Sequence, residues 1–265
     1  MNPSPLDISL IAKELNTQII GSKIHYYPET ESTNTIVEEL PRNGAPEGTL
    51  VVTDYQRAGR GRENRKWVSP SNHNLLFSFL LRPPDSLQGV PQITSIAAVA
   101  VCEGIRRETG LQVCIKWPND IRMGTKKLAG ILTETTTKKN QVEYVIVGIG
   151  ININTPQESF PAEVRGTATS LAIELKRNVS RERVLLSVLK SIDVWYIETV
   201  QNGIEKVVAH WKDLSDMTGK LVRVNQQSRI TEGYVTNIDT DGGLLLRSKS
   251  GITDKIVSGE IEILS

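Results

Sequence analysis

Residues 59–67 read GRGRENRKW. Four cations, Arg60, Arg62, Arg65 and Lys66, fall within seven residues, interleaved with Gly59, Gly61 and Asn64. A solvated charge run does not need glycines. A loop that wraps its backbone around an anion does, because glycine tolerates positive φ and allows close approach. Trp67 closes the stretch with a flat face on which an aromatic ring can stack. The pattern predicts a cationic loop that folds over a phosphate. It is neither the Gly-Lys-Ser/Thr phosphate loop nor the spaced glycines of a dinucleotide fold. The plain alternative is a surface loop or a nucleic-acid patch. Against the latter, 31 Lys and Arg face 30 Asp and Glu, a net charge of +1, so no basic domain backs the loop.

Working outward, TLVVTDYQ (49–56) reads as a strand running into the loop, and NLLFSFLLRP (74–83) as a second, buried strand. Upstream lie a helical pattern, LDISLIAKEL (6–15), a strand, KIHYY (23–27), and ESTNTIVEEL (31–40). The last reads as a loop entering a helix, with Ser32 or Thr33 as N-cap and Pro41 and Gly44 as stops. Downstream, PQITSIAAVAVCEGIRRETG (91–110) has proline near its start and glycine at its end, as a helix should. VCIKW (113–117), KKLAGILTET (126–135) and EYVIVGIGININ (143–154) read as strands. Residues 180–211 read as helical, with Trp195 and Trp211 in the core. From about 216 short strands alternate with turns, DTDGG (239–243) the clearest. They predict a small β-barrel or sandwich, too small to carry much chemistry alone.

At 265 residues, 38% apolar and 23% charged, the chain suits one large domain, or one large and one small. Cys102 and Cys114 sit in apolar surroundings and suit packing in a reducing cytoplasm. The N-terminus has no signal pattern, and the longest apolar run, near 93–101, is too short for a membrane span. His25, His73 and His210 lack metal-ligand spacing, so no structural zinc is expected.

Five segments mix polar groups and glycines with apolar surroundings. ESTN (31–34) is either a helix cap or a row of groups that bonds a small polar ligand. Gln56 sits where a strand amide can face a pocket. KWPND (116–120) is a salt-bridged lysine with a turn behind it, or a charged wall of a site. In KKLAGIL (126–132), Lys127 precedes the small pair Ala129 and Gly130, which suggests close approach of a ligand or backbone. In GIGININ (148–154) two glycines interrupt an apolar strand, and Asn152 and Asn154 share a face at period two, where buried amides need partners. Together they predict a pocket with an apolar slot, neutral polar groups and fixed cations. No Ser-His-Asp arrangement or reactive cysteine is evident. The chemistry that fits is nucleotide activation of a carboxylate by positioning and charge.

From residue 23 to the C-terminus, STN, GRGRENRKW, KWPND, KLAGIL and GIGIN occur in the order and approximate spacing of the biotin protein ligases, which the chain resembles. The resemblance implies an α+β fold: a class II aminoacyl-tRNA synthetase-like catalytic domain, with a mixed sheet flanked by helices, over 1–215, then a C-terminal SH3-like barrel over 216–265. It implies ATP and magnesium as cofactors and biotin as substrate. Biotinyl-5′-AMP would form and pass to a lysine of the biotin carboxyl carrier protein of acetyl-CoA carboxylase. Carried over by position, Ser32, Thr33, Asn34, Gln56, Arg60, Gly61, Arg62 and Lys127 would bind biotin. Arg62, Arg65, Trp67, Lys116, Asn119, Asp120, Gly148, Gly150 and Asn152 would bind ATP, with Trp67 packing on adenine. Lys127 and Arg62 would be catalytic, and the metal ligands stay unassigned.

Two departures stand out. Many members have Gly-Arg where this chain has Asn64-Arg65, although asparagine also tolerates the left-handed region. Fewer than 25 residues precede the first core strand, where bifunctional members carry a helix-turn-helix domain. The expectation is therefore a monofunctional ligase with no DNA binding and no repressor activity, cytoplasmic, without membrane contact, and either monomer or homodimer. The competing readings are a lipoate–protein ligase or octanoyltransferase, and a non-enzymatic binding module.

Overall fold

The computed structural model describes residues 4–87, 89–139, 141–226 and 229–264. In chain order the elements are α1 (Ile8–Glu14), β1 (Ile24–Tyr27), α2 (Thr33–Glu39), β2 (Leu50–Thr53), β3 (Leu75–Leu81), α3 (Val90–Thr109), β4 (Cys114–Lys116), β5 (Asp120–Met123), β6 (Lys126–Lys138) and β7 (Gln141–Ile151). They continue with α4 (Leu171–Leu175), α5 (Arg181–Asn202), α6 (Glu205–Leu214), β8 (Leu221–Asn225), β9 (Ile230–Ile238), β10 (Leu244–Arg247), β11 (Thr253–Ile256) and β12 (Glu260–Ile263).

Strands β1 to β7 form one mixed sheet in the order β1-β2-β3-β7-β6-β5-β4, parallel between β1 and β2 and antiparallel elsewhere. Alternation along β3 and β7 divides the sheet into two faces. Phe77, Phe79, Val147, Ile149 and their neighbours pack in the main core with α3 and α5. On the opposite face, α2 covers one end, where Val37 meets Val51, Leu80, Tyr144 and Ile146. The other end of that face is left for the site. Register places two rows across it: Val51, Ser78, Gly148 and Leu132 in one, and Thr53, Leu76, Gly150, Gly130 and Asp120 in the next.

β8 to β12 form a separate antiparallel sheet in the order β11-β10-β9-β8-β12. The DTDGG turn docks it on the larger unit: Trp117 Nε1 donates to Gly242 O (3.2 Å) and Gln92 Nε2 to Thr240 O (3.0 Å). At the junction buried Arg122 is ion-paired with Asp216.

Several elements differ from the sequence reading. The helical run after 180 is two helices, broken at Gly203 (φ 87°). Asp120, read as part of a turn, opens β5, and the short α4 was not foreseen. β11 and β12, neighbours in sequence, lie on opposite edges of their sheet. As expected, α2 stops ahead of Pro41, at Glu39; a 3-10 turn, 40–43, follows and Gly44 (φ 71°) ends it. Trp195 and Trp211 are buried as expected. Among the described residues no helix is long and apolar enough to cross a membrane.

Candidate active site

A cavity of about 540 Å³ opens on the α2 side of the sheet and extends to Gly259, Glu260 and Ile261 of the small sheet. Its floor is made by the two glycine rows. A Cβ at Gly148 would lie 2.0 Å from Asn34 Oδ1, and one at Gly150 2.6 Å from the Trp67 indole. The glycines are there for space, since neither has positive φ.

One end of the cavity is neutral and polar. Ser32 occupies the N-cap position of α2 but makes no capping bond. The first N–H of the helix is instead met by a residue distant in sequence: Gln56 Oε1 accepts from Thr33 N (2.7 Å) and lies 3.1 Å from Thr33 Oγ1. Thr33 Oγ1 is 2.6 Å from Ser78 Oγ, and Ser78 Oγ donates to Asn34 Oδ1 (2.5 Å). Asn34 Nδ2 donates to Glu134 Oε2 (2.6 Å). Buried groups thus satisfy one another, as a low-dielectric site requires.

The other end is cationic. Lys127 Nζ lies 2.6 Å from Asp120 Oδ1 and 5.7 Å from the Trp67 ring centroid. Arg62 donates to Asn119 Oδ1 (3.2 Å), whose Nδ2 donates to Ile131 O (2.7 Å). Burial lowers the pKa of Lys116; the Asp120 charge opposes this, while Arg122, Lys127 and Arg65 add to it. Burial likewise lowers that of Arg62, against the pull of Glu63 and Asp120. Like charges held half-buried this close together favour a polyanion between them. Asn152 closes the wall. Its Nδ2 donates to Thr169 O (3.0 Å), and its Oδ1 accepts from Asn74 (3.2 Å).

The 59–67 loop roofs both ends. Gly61 N donates to Arg65 O (2.7 Å) and Trp67 N to Gly59 O (2.9 Å), so the loop folds back as a narrow hairpin. The positive φ values fall on Glu63 (55°) and Asn64 (60°), not on the glycines. Gly59 serves close approach, as a Cβ there would lie 2.4 Å from Trp67 O. Asn64 adopts the left-handed conformation expected of it. Arg60 pairs with Glu134 (2.9 Å), and Arg65 with Glu63 (3.3 Å) and with Glu260 of β12.

Comparisons with known proteins agree with this geometry. Residues 26–152 match the Biotin/lipoate A/B protein ligase family. The bifunctional ligase/repressor BirA of Bacillus subtilis is 39% identical over 261 residues, which are 98% of this chain and 80% of that protein. The chain belongs to the biotin protein ligase family. The biotin--[acetyl-CoA-carboxylase] ligase of Mycobacterium tuberculosis is 28% identical, covering 97% of this chain and 95% of that one. Among solved structures, the biotin protein ligase of Aquifex aeolicus in complex with biotin and ATP superposes with a TM-score of 0.80 at 29% identity, over 91% of this chain and 98% of that one. The α+β ligase fold expected from the sequence is therefore present.

In this biotin protein ligase, Thr33, Gln56, Arg60, Gly61, Arg62, Arg65 and Trp67 line the cavity on the loop side. Lys116, Asn119, Asp120, Lys127, Gly148, Gly150 and Asn152 line it from the sheet. Asn34 lies beneath, against Gly148, and Ser32 is buried at the start of α2. Asn154 leaves the face it was expected to share with Asn152, because β7 ends at Ile151, and it pairs with the backbone of Val179. Sequence reasoning missed Ser78, Glu134 and Glu260. Ser78 is a lone hydroxyl inside LLFSFLL, a signal that was available. Glu134 and Glu260 look like ordinary surface carboxylates until register brings them to the site. Among the described residues no group of three His, Cys, Asp or Glu forms a metal cage.

Proposed function

We propose that biotin lies along the cavity with its ureido ring at the neutral end and its carboxylate toward Lys127, and that ATP occupies the cationic end. A ureido ring is uncharged and offers both donors and a carbonyl, which suits Gln56, Thr33, Asn34 and Ser78. A carboxylate oxygen of biotin then attacks the α-phosphorus. The bond to the β-phosphate breaks and pyrophosphate leaves, giving biotinyl-5′-AMP. Lys127, Arg62 and Lys116 stabilise the charge that develops on the phosphoryl oxygens and the leaving group. An acceptor lysine, as its free amine, next attacks the acyl carbon. An amide forms, AMP departs with its bonding electrons, and the amine's proton is released. The enzyme supplies alignment and charge and no covalent nucleophile.

The observation that carries this reading is the division of one cavity into a neutral hydrogen-bonding end and a cation cluster, with Lys127 between Asp120 and Trp67. Magnesium fits as a companion of the nucleotide. The ion commonly takes one or two carboxylates plus phosphates and water, and Asp120 is the carboxylate beside Lys127. It would offset phosphate charge. Residues 1–215 are taken as the catalytic unit and 216–265 as a barrel that completes the cationic end. The acceptor is the biotin carboxyl carrier domain, and a cytoplasmic site is consistent with the two free cysteines.

The deciding experiment is intact-mass spectrometry of a biotin carboxyl carrier domain incubated with the protein, MgATP and biotin, with lipoate and a lipoyl domain in parallel. One biotinyl group gained, dependent on ATP, is the expected result. Modification of the lipoyl domain alone would move the chain to the lipoate ligases. Operator binding is not part of the proposal. A specific mobility shift on a biotin operator would overturn that point.

A further inference from the structure

Glu134 has no place in the chemistry above, yet one of its carboxylate oxygens is shared by both halves of the site. Oε2 accepts from Asn34 Nδ2 (2.6 Å) in the buried polar chain and from Arg60 NH2 (2.9 Å) in the roof loop. It lies on β6 one pleat beyond Leu132, which faces Gly148, so it stands at the inner edge of the neutral end. Asn34 has one donor group and one acceptor. With Nδ2 drawn to Glu134, Oδ1 is turned to Ser78 over Gly148. The carboxylate therefore fixes which way that amide faces, and the same oxygen holds the loop down.

We propose that Glu134 is a positioning residue that couples closure of the 59–67 loop to the hydrogen-bonding polarity of the slot. It acts through Arg60 and Asn34 and touches no reacting atom. The role assigned to the slot rests on the biotin reading; the role assigned to the loop does not. Both partners of the ion pair are more than a third exposed, at 41% and 36% of side-chain surface. The latch is therefore weak, shifting the loop between open and closed by a few-fold rather than locking it.

Two substitutions separate the two duties. Glu134→Gln keeps an acceptor for Asn34 but loses the charged bond to Arg60. Glu134→Ala loses both. The loop itself supplies the probe, since trypsin cleaves after Arg62, Arg65 and Lys66 when the loop opens. With no ligand present, E134Q should be cut in the loop about fivefold faster than the parent, at an unchanged thermal midpoint. Arg60→Gln, a change on the exposed loop that cannot unfold the core, should accelerate the remaining cuts equally, and the double variant should add nothing further. Unchanged cleavage in E134Q and R60Q overturns the latch. This arm contains no biotin, so it stands or falls apart from the proposed substrate. In the second arm, E134A should raise the KM for biotin well beyond E134Q, with kcat for adenylate formation nearly unchanged at saturation. A fall in kcat with KM unmoved overturns the positioning role.

Discussion

The two ends of the cavity solve opposite problems. At the neutral end Thr33, Ser78 and Asn34 are buried and Gln56 half-buried, and the four satisfy one another across α2, β3 and the segment that follows β2. At the cationic end Lys127 and Arg65 are parked on Asp120 and Glu260 at partly exposed positions. A buried neutral group left unpaired is costly, so that end has to be built in advance. A half-exposed cation on a carboxylate loses little when a phosphate replaces the carboxylate, so that end can exchange partners. On the proposed reading, shape recognition here is preformed, while charge recognition works by substitution.

The largest test removes an exchanging cation. Lys127→Ala should slow adenylate formation on the order of 100-fold, read as pyrophosphate release, with the thermal midpoint nearly unmoved. A rate within a few-fold of the parent would end the role assigned to that lysine. Next, Gly148→Ala should damage the preformed end alone. Its Cβ would overlap Asn34 Oδ1, so the KM for biotin should rise about tenfold while that for ATP holds. Equal damage to both would mean that the two ends are not independent.

A smaller effect sharpens the energetic contrast. Thr33→Val removes the hydroxyl between Gln56 and Ser78 and should cost about 1 kcal/mol in urea unfolding. The exposed Arg57–Glu29 pair should contribute far less when broken. A further effect concerns the junction that holds Glu260 in reach. Burial works to raise the Asp216 pKa, but its hydrogen bond and charge interaction with Arg122, helped by Lys220, bring it below the ordinary value. A depressed carboxyl stabilises the fold above its unfolded pKa, near 4, and the contribution is lost as pH falls through the folded value. Asp216→Asn should therefore be less stable than the parent at pH 7, and the gap should close on acidification. A gap that widens in acid would reverse the assigned direction.

What could be read from the sequence was whatever short stretches encode by themselves. The loop announced itself through Gly59, Gly61 and its cations, and the floor through Gly148 and Gly150. The break at Gly203 was also visible, since QNGIE places glycine where a helix ends, but the apolar period running past it was stronger. Glu134 was illegible for a different reason. Its meaning depends on β6 and β7 pairing so that it stands beside Asn34, a hundred residues away in sequence. The edge position of β12 was hidden in the same way, because nothing local says that Glu260–Ile263 will cross to β8 instead of continuing from β11.

The strand order of the large sheet has a kinetic consequence. Its central pair is β3 with β7, in which Leu75 meets Ile151 and Leu81 meets Val145, so the middle of the sheet closes only after a long intervening loop has been brought together. Ser78 and Gly148 face each other across that seam, and Glu260 arrives from β12. Pairings of such long range form slowly. The cationic end waits on Glu260 of β12, so it is the last part of the cavity to form. A ribosome-bound or prematurely ended product therefore lacks a complete site with which to make, and release by leakage, a reactive acyl-adenylate.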